Sequence, residues 1–451
     1  MPILDIDTKN FIAGESQSDF ISDKGFSPDS ANLNLTKIRG LLYFNEAVTD
    51  RGGAILTGNI IASCPDPAYL GNDVYYLDDE GAFYTLDGAT LTKKQTSSGY
   101  TYVLGTSEII PFKQEIFATS NTAIAKLTNN FAAIIEDWWA GLTTAYRHPM
   151  EAVEDELFIA NKNIIYYWNG TSSGTAFTLP SEVNITSLRK HPDGRTLLAF
   201  TGITVNYSHT HNGGGKVYFC DPVIRDWTRE VEIEAQVEGS RVVGGIIYVT
   251  WGNNFGYFNG SGLIFLKKFA TSSITYSHNL VNLEDILLTR DGLNILAFGN
   301  LGAGNVWWKL FRNTANSQNI NNILYKGDNK LLAAYSDGAS AGKLVEIDYD
   351  NAGTTGAFYS NRYNFGSTVK IRRIDIFHDT TNTTGTTAFD VKHRLLDDTE
   401  ETIESISYDS QSINKTRIQC DITADIFQLV IVPQTDDMGI KLIRIYYDPI
   451  K

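Results

Sequence analysis

The chain has 451 residues, of which 42% are apolar and 12% aromatic, and a formal net charge of −15. That length exceeds one compact core, implying about three units unless the units are repeats, and the apolar content excludes a disordered chain. The acidic balance argues against a protein that grips nucleic acid by neutralising phosphates, and no run approaches the ~20 apolar residues that span a bilayer.

Taken in chain order, the first element is a polar, turn-rich lead-in over residues 1–37, read as an extended arm. Its opening, MPILDIDTKNFIAGESQSDF, has neither the basic start nor the apolar stretch of a signal peptide. From IRGLLYF at Ile38 onward, short apolar runs alternate with Gly, Asn and Asp turns. The one helical candidate is NNFAAIIEDWWAGL, Asn129 to Leu142, although its apolar positions form no clean stripe and Ile, Phe and Trp suit strands equally well.

The octapeptides DGRTLLAF (Asp193 to Phe200) and DGLNILAF (Asp291 to Phe298) are near copies. Their shape is a turn, an apolar strand, another turn and an aromatic-rich strand. It recurs at markers 73, 114, 155, 193, 245, 291 and 328, spaced by 41, 41, 38, 52, 46 and 37 residues. A period of ~40–50 residues with several strands per unit is that of β-propeller blades, which bury their faces only by stacking on one another. The expected fold is therefore all-β, with a propeller of about seven blades over residues 38–352. Asp193 and Asp291 would open equivalent strands two blades apart, and IRGLLYF would close the ring onto the last blade.

The rhythm stops near residue 351. Longer strands follow, from TVKIRRIDIFHD to IKLIRIYYD, and predict an antiparallel β-sandwich over 355–451. Arg372 and Arg373 interrupt the apolar run Val369 to Phe377. They would take part in subunit contacts or sit on a bulge facing solvent.

The remaining motifs point to no chemistry. His209 and His211 stand at i, i+2 but precede a glycine loop, and no acid lies in that stretch to complete a metal site. Gly213-Gly214-Gly215-Lys216 lacks phosphate-loop spacing. Asp348 to Gly353 opens like a calcium loop but has Ala352 and Tyr359 where ligands belong. Carboxylates cluster at Glu151, Glu154, Asp155 and Glu156, and at Asp397, Asp398, Glu400 and Glu401, in turns where charge is solvated. Cys64, Cys220 and Cys420 read as buried thiols rather than a disulfide framework. Aromatics at Tyr84, Tyr166, Tyr167, Trp168, Tyr257, Phe258, Trp307 and Trp308 are a sugar-stacking rim or, more simply, packing between blades. No catalytic residue, metal or cofactor is expected, and the chain reads as a non-enzyme. A carbohydrate-binding or glycoside-hydrolysing propeller, or a scaffold of another kind, stands as the alternative.

Two stretches carry a family resemblance: RGLLYF leading into repeats such as VYYLD and FYTLDG, and the junction AFYSNRYNFGSTVKIRRIDIFHD, Ala357 to Asp379. With the propeller-then-sandwich order, they resemble the nozzle or hub proteins of short-tailed bacteriophage tails. The resemblance implies a homo-oligomeric ring, commonly a hexamer, and contacts with other tail proteins (adaptor, fibre or needle). It also implies viral DNA passing through without specific binding, no membrane insertion, and a virion protein assembled in the host cytoplasm. An acidic wall suits such a conduit, because phosphates find no cations to hold them.

Overall fold

The structure, a computed structural model, describes residues 2–7, 33–34, 42–44, 48–51, 55–65, 74–128, 133–144, 146–202, 214–269, 280–283, 286–300, 305–312, 318–327, 330–336, 342–348, 357–360, 362–380, 388–397, 399–407, 415–433 and 438–450. Among them there are strands and turns and no α-helix. Seven antiparallel four-stranded sheets make a seven-bladed β-propeller, with a further nine-stranded sheet beside them in the chain. Blades one to six span residues 60–96, 109–140, 150–178, 184–233, 239–268 and 281–312. Blade seven takes its first three strands from 320–348.

Burial falls from the second strand of a blade to the fourth, and composition follows it. The second strands Val74–Asp78 and Leu197–Gly202 are buried throughout. The fourth strands Thr90–Thr96 and Asp226–Ile233 are mostly exposed, and they carry the Lys, Arg, Glu and Asp. The continuous apolar run of a second strand follows from its two-sided burial, since successive side chains point to opposite faces. Leu197 and Ala199 pack with Val153, Phe158 and Phe177 of blade three. Leu198 and Phe200 pack with Ile247, Val249 and Phe258 of blade five. Similar apolar clusters join blades one and two, and blades two and three.

The twin octapeptides are not equivalent. Leu197–Gly202 is the second strand of blade four, and Asp193-Gly194 lies in the turn before it. Asn294–Asn300 is the third strand of blade six, and Asp291 ends the second strand with Gly292 in the turn after it. The true register repeat is the turn from third to fourth strand. Asp87-Gly88, Asn169-Gly170 and Asn259-Gly260 hold it in blades one, three and five, with glycine φ of 56°, 98° and 89°. In the last two the asparagine carboxamide oxygen accepts from two backbone N–H groups, those of Thr171 and Ser172 or of Ser261 and Gly262. The proposed helix is a strand as far as it is described: Ile134–Ala140 is the fourth strand of blade two.

Ring closure also differs from expectation. The fourth strand of blade seven is Val48–Asp50, while Leu42–Phe44 of IRGLLYF pairs with Met438–Pro449 in the nine-stranded sheet. Arg51 extends the closure by donating its N–H to the Leu344 carbonyl at 2.8 Å and pairing with Glu346 at 2.8 Å. Leu324, Leu332 and Leu344 then pack with Ile60, Tyr76 and Tyr84, which joins blade seven to blade one.

By its contacts the chain divides into two compact units, one of residues 50–293 and 313–346, the other of 1–49, 294–312 and 347–451. In the second unit the residues read as an arm contribute strands. Ile3–Asp7 pairs with Met438–Pro449, and Leu33–Asn34 pairs with Leu42–Phe44. The C-terminal strands expected as a sandwich are joined through Lys415–Pro433. Its residues 415–427 pair with Tyr363–Phe377, and residues 428–433 pair with Phe389–Arg394.

Candidate functional site

The strand Tyr363–Thr380 decides where Arg372 and Arg373 point. Its register slips between Ile371 and Arg373 against both neighbouring strands, which is a β-bulge. Ile371, Ile374 and Ile376 are buried, whereas Lys370, Arg372, Arg373 and Phe377 keep exposed surface. The bulge therefore lets two consecutive arginines share the outward face without reversing the apolar side.

Ion pairs cover that face. Arg372 bonds Asp421 at 2.8 Å and Asp448 at 3.1 Å, and Lys370 bonds Asp421 at 2.9 Å. Asp375 is 0% exposed and lies against Arg373 at 3.3 Å, Lys415 at 2.7 Å and Arg417 at 3.3 Å. Burial alone would raise the Asp375 pKa, but the Lys415 hydrogen bond and the three cations hold it below the usual carboxylate range. Arg444 reaches Asp5 at 3.0 Å. Aromatic rings lie among the cations, with the Arg373 guanidinium 3.7 Å from the centre of Tyr446 and Lys415 4.7 Å from that of Phe377. These pairs join six cations to four carboxylates, and Asp425 stands exposed on the same outward row.

A second charged group gathers at the innermost strands of blades two to six. Glu151 pairs with Arg189 at 2.8 Å, and the Arg189 Nε donates to Ser240 at 3.3 Å. Ser187 and Ser240 share a 2.7 Å hydrogen bond. Arg147, ahead of blade three, reaches Glu238, ahead of blade five, at 3.7 Å. Glu108 accepts the Met150 N–H at 3.0 Å, and burial pushes its pKa up. Arg241 donates to the Asn282 carboxamide oxygen at 3.3 Å.

The other candidates have structural partners or fall outside the described residues. His209, His211, Gly213, Ala352, Gly353 and Asp398 are outside them. No group of three metal-ligating side chains occurs among the described residues. Glu156 pairs with Arg225, Asp397 bonds Thr399 within its turn, and Glu400 receives Tyr359 Oη at 2.9 Å. Several of the aromatics pack between blades: Trp168 meets Trp138, Tyr166 meets Trp139, and Phe258 meets Phe200 and Phe219. None of the three cysteines is in a disulfide; Cys64 and Cys220 are buried and Cys420 is half-buried. Asp375, Lys415 and Arg417 escaped sequence reasoning, although the alternation of charge and Ile along both strands marks them. The innermost charges left no local signal, because each blade contributes one or two.

No family model and no curated protein matches the chain. Among solved structures it is similar to Raptor of Chaetomium thermophilum, with 14% identity and a TM-score of 0.48 over 72% of this chain and 30% of that one. It thus spans under a third of the Raptor chain. It is also similar to YCF48 bound to a D1 peptide, with 10% identity and a TM-score of 0.47 over 67% of this chain and 96% of that one. A third likeness is to the β-propeller domain of Cps50 (Swd1) from Myceliophteria thermophila, with 9% identity and a TM-score of 0.46 over 67% of this chain and 99% of that one. These likenesses concern the fold alone.

Proposed function

We propose that the chain is a structural subunit of a short-tailed bacteriophage tail, of the nozzle or hub type. In this reading it assembles with copies of itself into a ring, a hexamer, around the DNA ejection channel, and presents a platform to other tail proteins. It acts in the virion after assembly in the host cytoplasm, performs no catalysis, and lets DNA pass without holding it. The observation that carries the reading is the outward face bearing Arg372 and Arg373. A charged, aromatic-studded sheet face on an acidic chain complements the surface of a second copy, and such complementarity fixes register and speeds encounter.

The test is charge reversal at two of the more exposed cations, Arg372→Glu with Arg417→Glu, whose side chains are 44% and 54% exposed. Assembly measured by native mass spectrometry and analytical ultracentrifugation should weaken about tenfold or more, with a steeper loss at low salt. An unchanged oligomer with an unchanged dissociation constant removes this face from the interface.

A further inference from the structure

Not every innermost cation of the propeller has a carboxylate at ion-pair distance among the described residues. Arg189 has Glu151, and Arg147 has Glu238. Among the described residues Arg241 has no carboxylate within ion-pair distance, and its one hydrogen-bond partner is Asn282. That contact uses Nε. The Asn282 carboxamide is itself held, donating to the Val242 carbonyl at 3.0 Å. The fork is therefore fixed in orientation, and among the described residues its two terminal nitrogens have no hydrogen-bond partner. A guanidinium held by Nε with both terminal N–H groups free is a planar bidentate receptor for an oxyanion.

Arg189 lies against the same strand, its Nε donating to the neighbouring Ser240 at 3.3 Å. Desolvation, and after it the Arg189 charge, bring the Arg241 pKa down to about 10, against a smaller opposing pull from Glu151. A desolvated guanidinium with no carboxylate on it raises the energy of the empty state, and an anion beside it lowers it. We infer that the inner end of the propeller is a binding site for a small oxyanion, a carboxylate or a phosphate. Arg241 supplies the bidentate contact, and Arg189, already paired with Glu151, borders the site. The site is independent of the assembly reading.

The experiment titrates the purified full chain with inorganic phosphate and, separately, with acetate, against chloride at equal ionic strength. Thermal unfolding and titration calorimetry are the readouts. At ~50 mM the preferred anion should raise the melting temperature by about 2 °C over chloride. Arg241→Gln should abolish that rise, and Arg241→Lys, which keeps the charge without the fork, should weaken binding about tenfold. A response to phosphate alone assigns a tetrahedral ligand, and one to acetate alone a planar one. No rise and no heat with either anion in the wild type overturns the site. So does a rise of equal size in Arg241→Gln. Should that variant not fold, undiminished binding in Arg241→Lys overturns the bidentate contact.

Discussion

Asp375 shows how one side chain can decide the use of a whole face. It sits two residues beyond the bulge, so it points outward, yet Arg373, Lys415 and Arg417 close over it completely. Its folded pKa is depressed, so its contribution is complete above the unfolded carboxylate pKa of ~4 and is lost as pH falls through the lower folded value. Asp375→Asn should cost about 2 kcal/mol at pH 7, less than a fully buried pair because the cations keep part of their hydration. The difference from wild type should shrink at acid pH, as the wild-type carboxyl is itself protonated through its lowered folded value. Urea unfolding at pH 7 and at acid pH checks both halves, and equal midpoints at pH 7 would remove the charge cluster as a source of stability. Arg372 and Arg373 were visible in the sequence because charge breaks an apolar strand there. Asp375 was visible only as the next outward position, and its partners Lys415 and Arg417 lie forty residues away on a strand whose pairing no local pattern gives.

At the scale of elements, the blades were legible because two-sided burial writes unbroken apolar runs and hairpins write Asn-Gly and Asp-Gly. The same rule explains the misplaced register of the octapeptides. Second and third strands are buried alike, so ILAF at Ile295 to Phe298 reads like LLAF at Leu197 to Phe200. Ile134–Ala140 passed for a helix because Trp138 and Trp139 satisfy either period, and what fixes them as a strand is Trp168 and Tyr166 on the next blade. Val48–Asp50 is too short to announce itself, and the more apolar neighbour Leu42–Phe44 drew the closure instead. Gly256 shows how tightly a blade is drawn. A Cβ there would overlap the Ile264 carbonyl oxygen, 2.8 Å from the Trp251 ring. Gly256→Ala should therefore cost about 3 kcal/mol and loosen the fourth strand of blade five, Leu263–Lys268. Hydrogen exchange along that strand reads the effect. Gly262→Ala, which meets open space, is the control and should cost less than ~1 kcal/mol. Equal protection in the two variants would contradict the close approach.

At the scale of the molecule, composition and spacing carried the all-β propeller, since a 40-residue rhythm has few other solutions. The part played by the N-terminal residues was not legible. Ile3–Asp7 looks like any short alternating stretch until Met438–Pro449 is beside it, more than 430 residues later in the chain. Function sits a level further from the sequence, because a charge of −15 says what the chain repels and leaves open what it joins. The measurement that bears most directly on the proposed role is the mass of the wild-type protein by native mass spectrometry, with negative-stain images of the same sample. A closed homo-oligomer of about six copies with a central opening is the predicted result. A chain that stays monomeric at all concentrations, both alone and with other virion proteins, would contradict it.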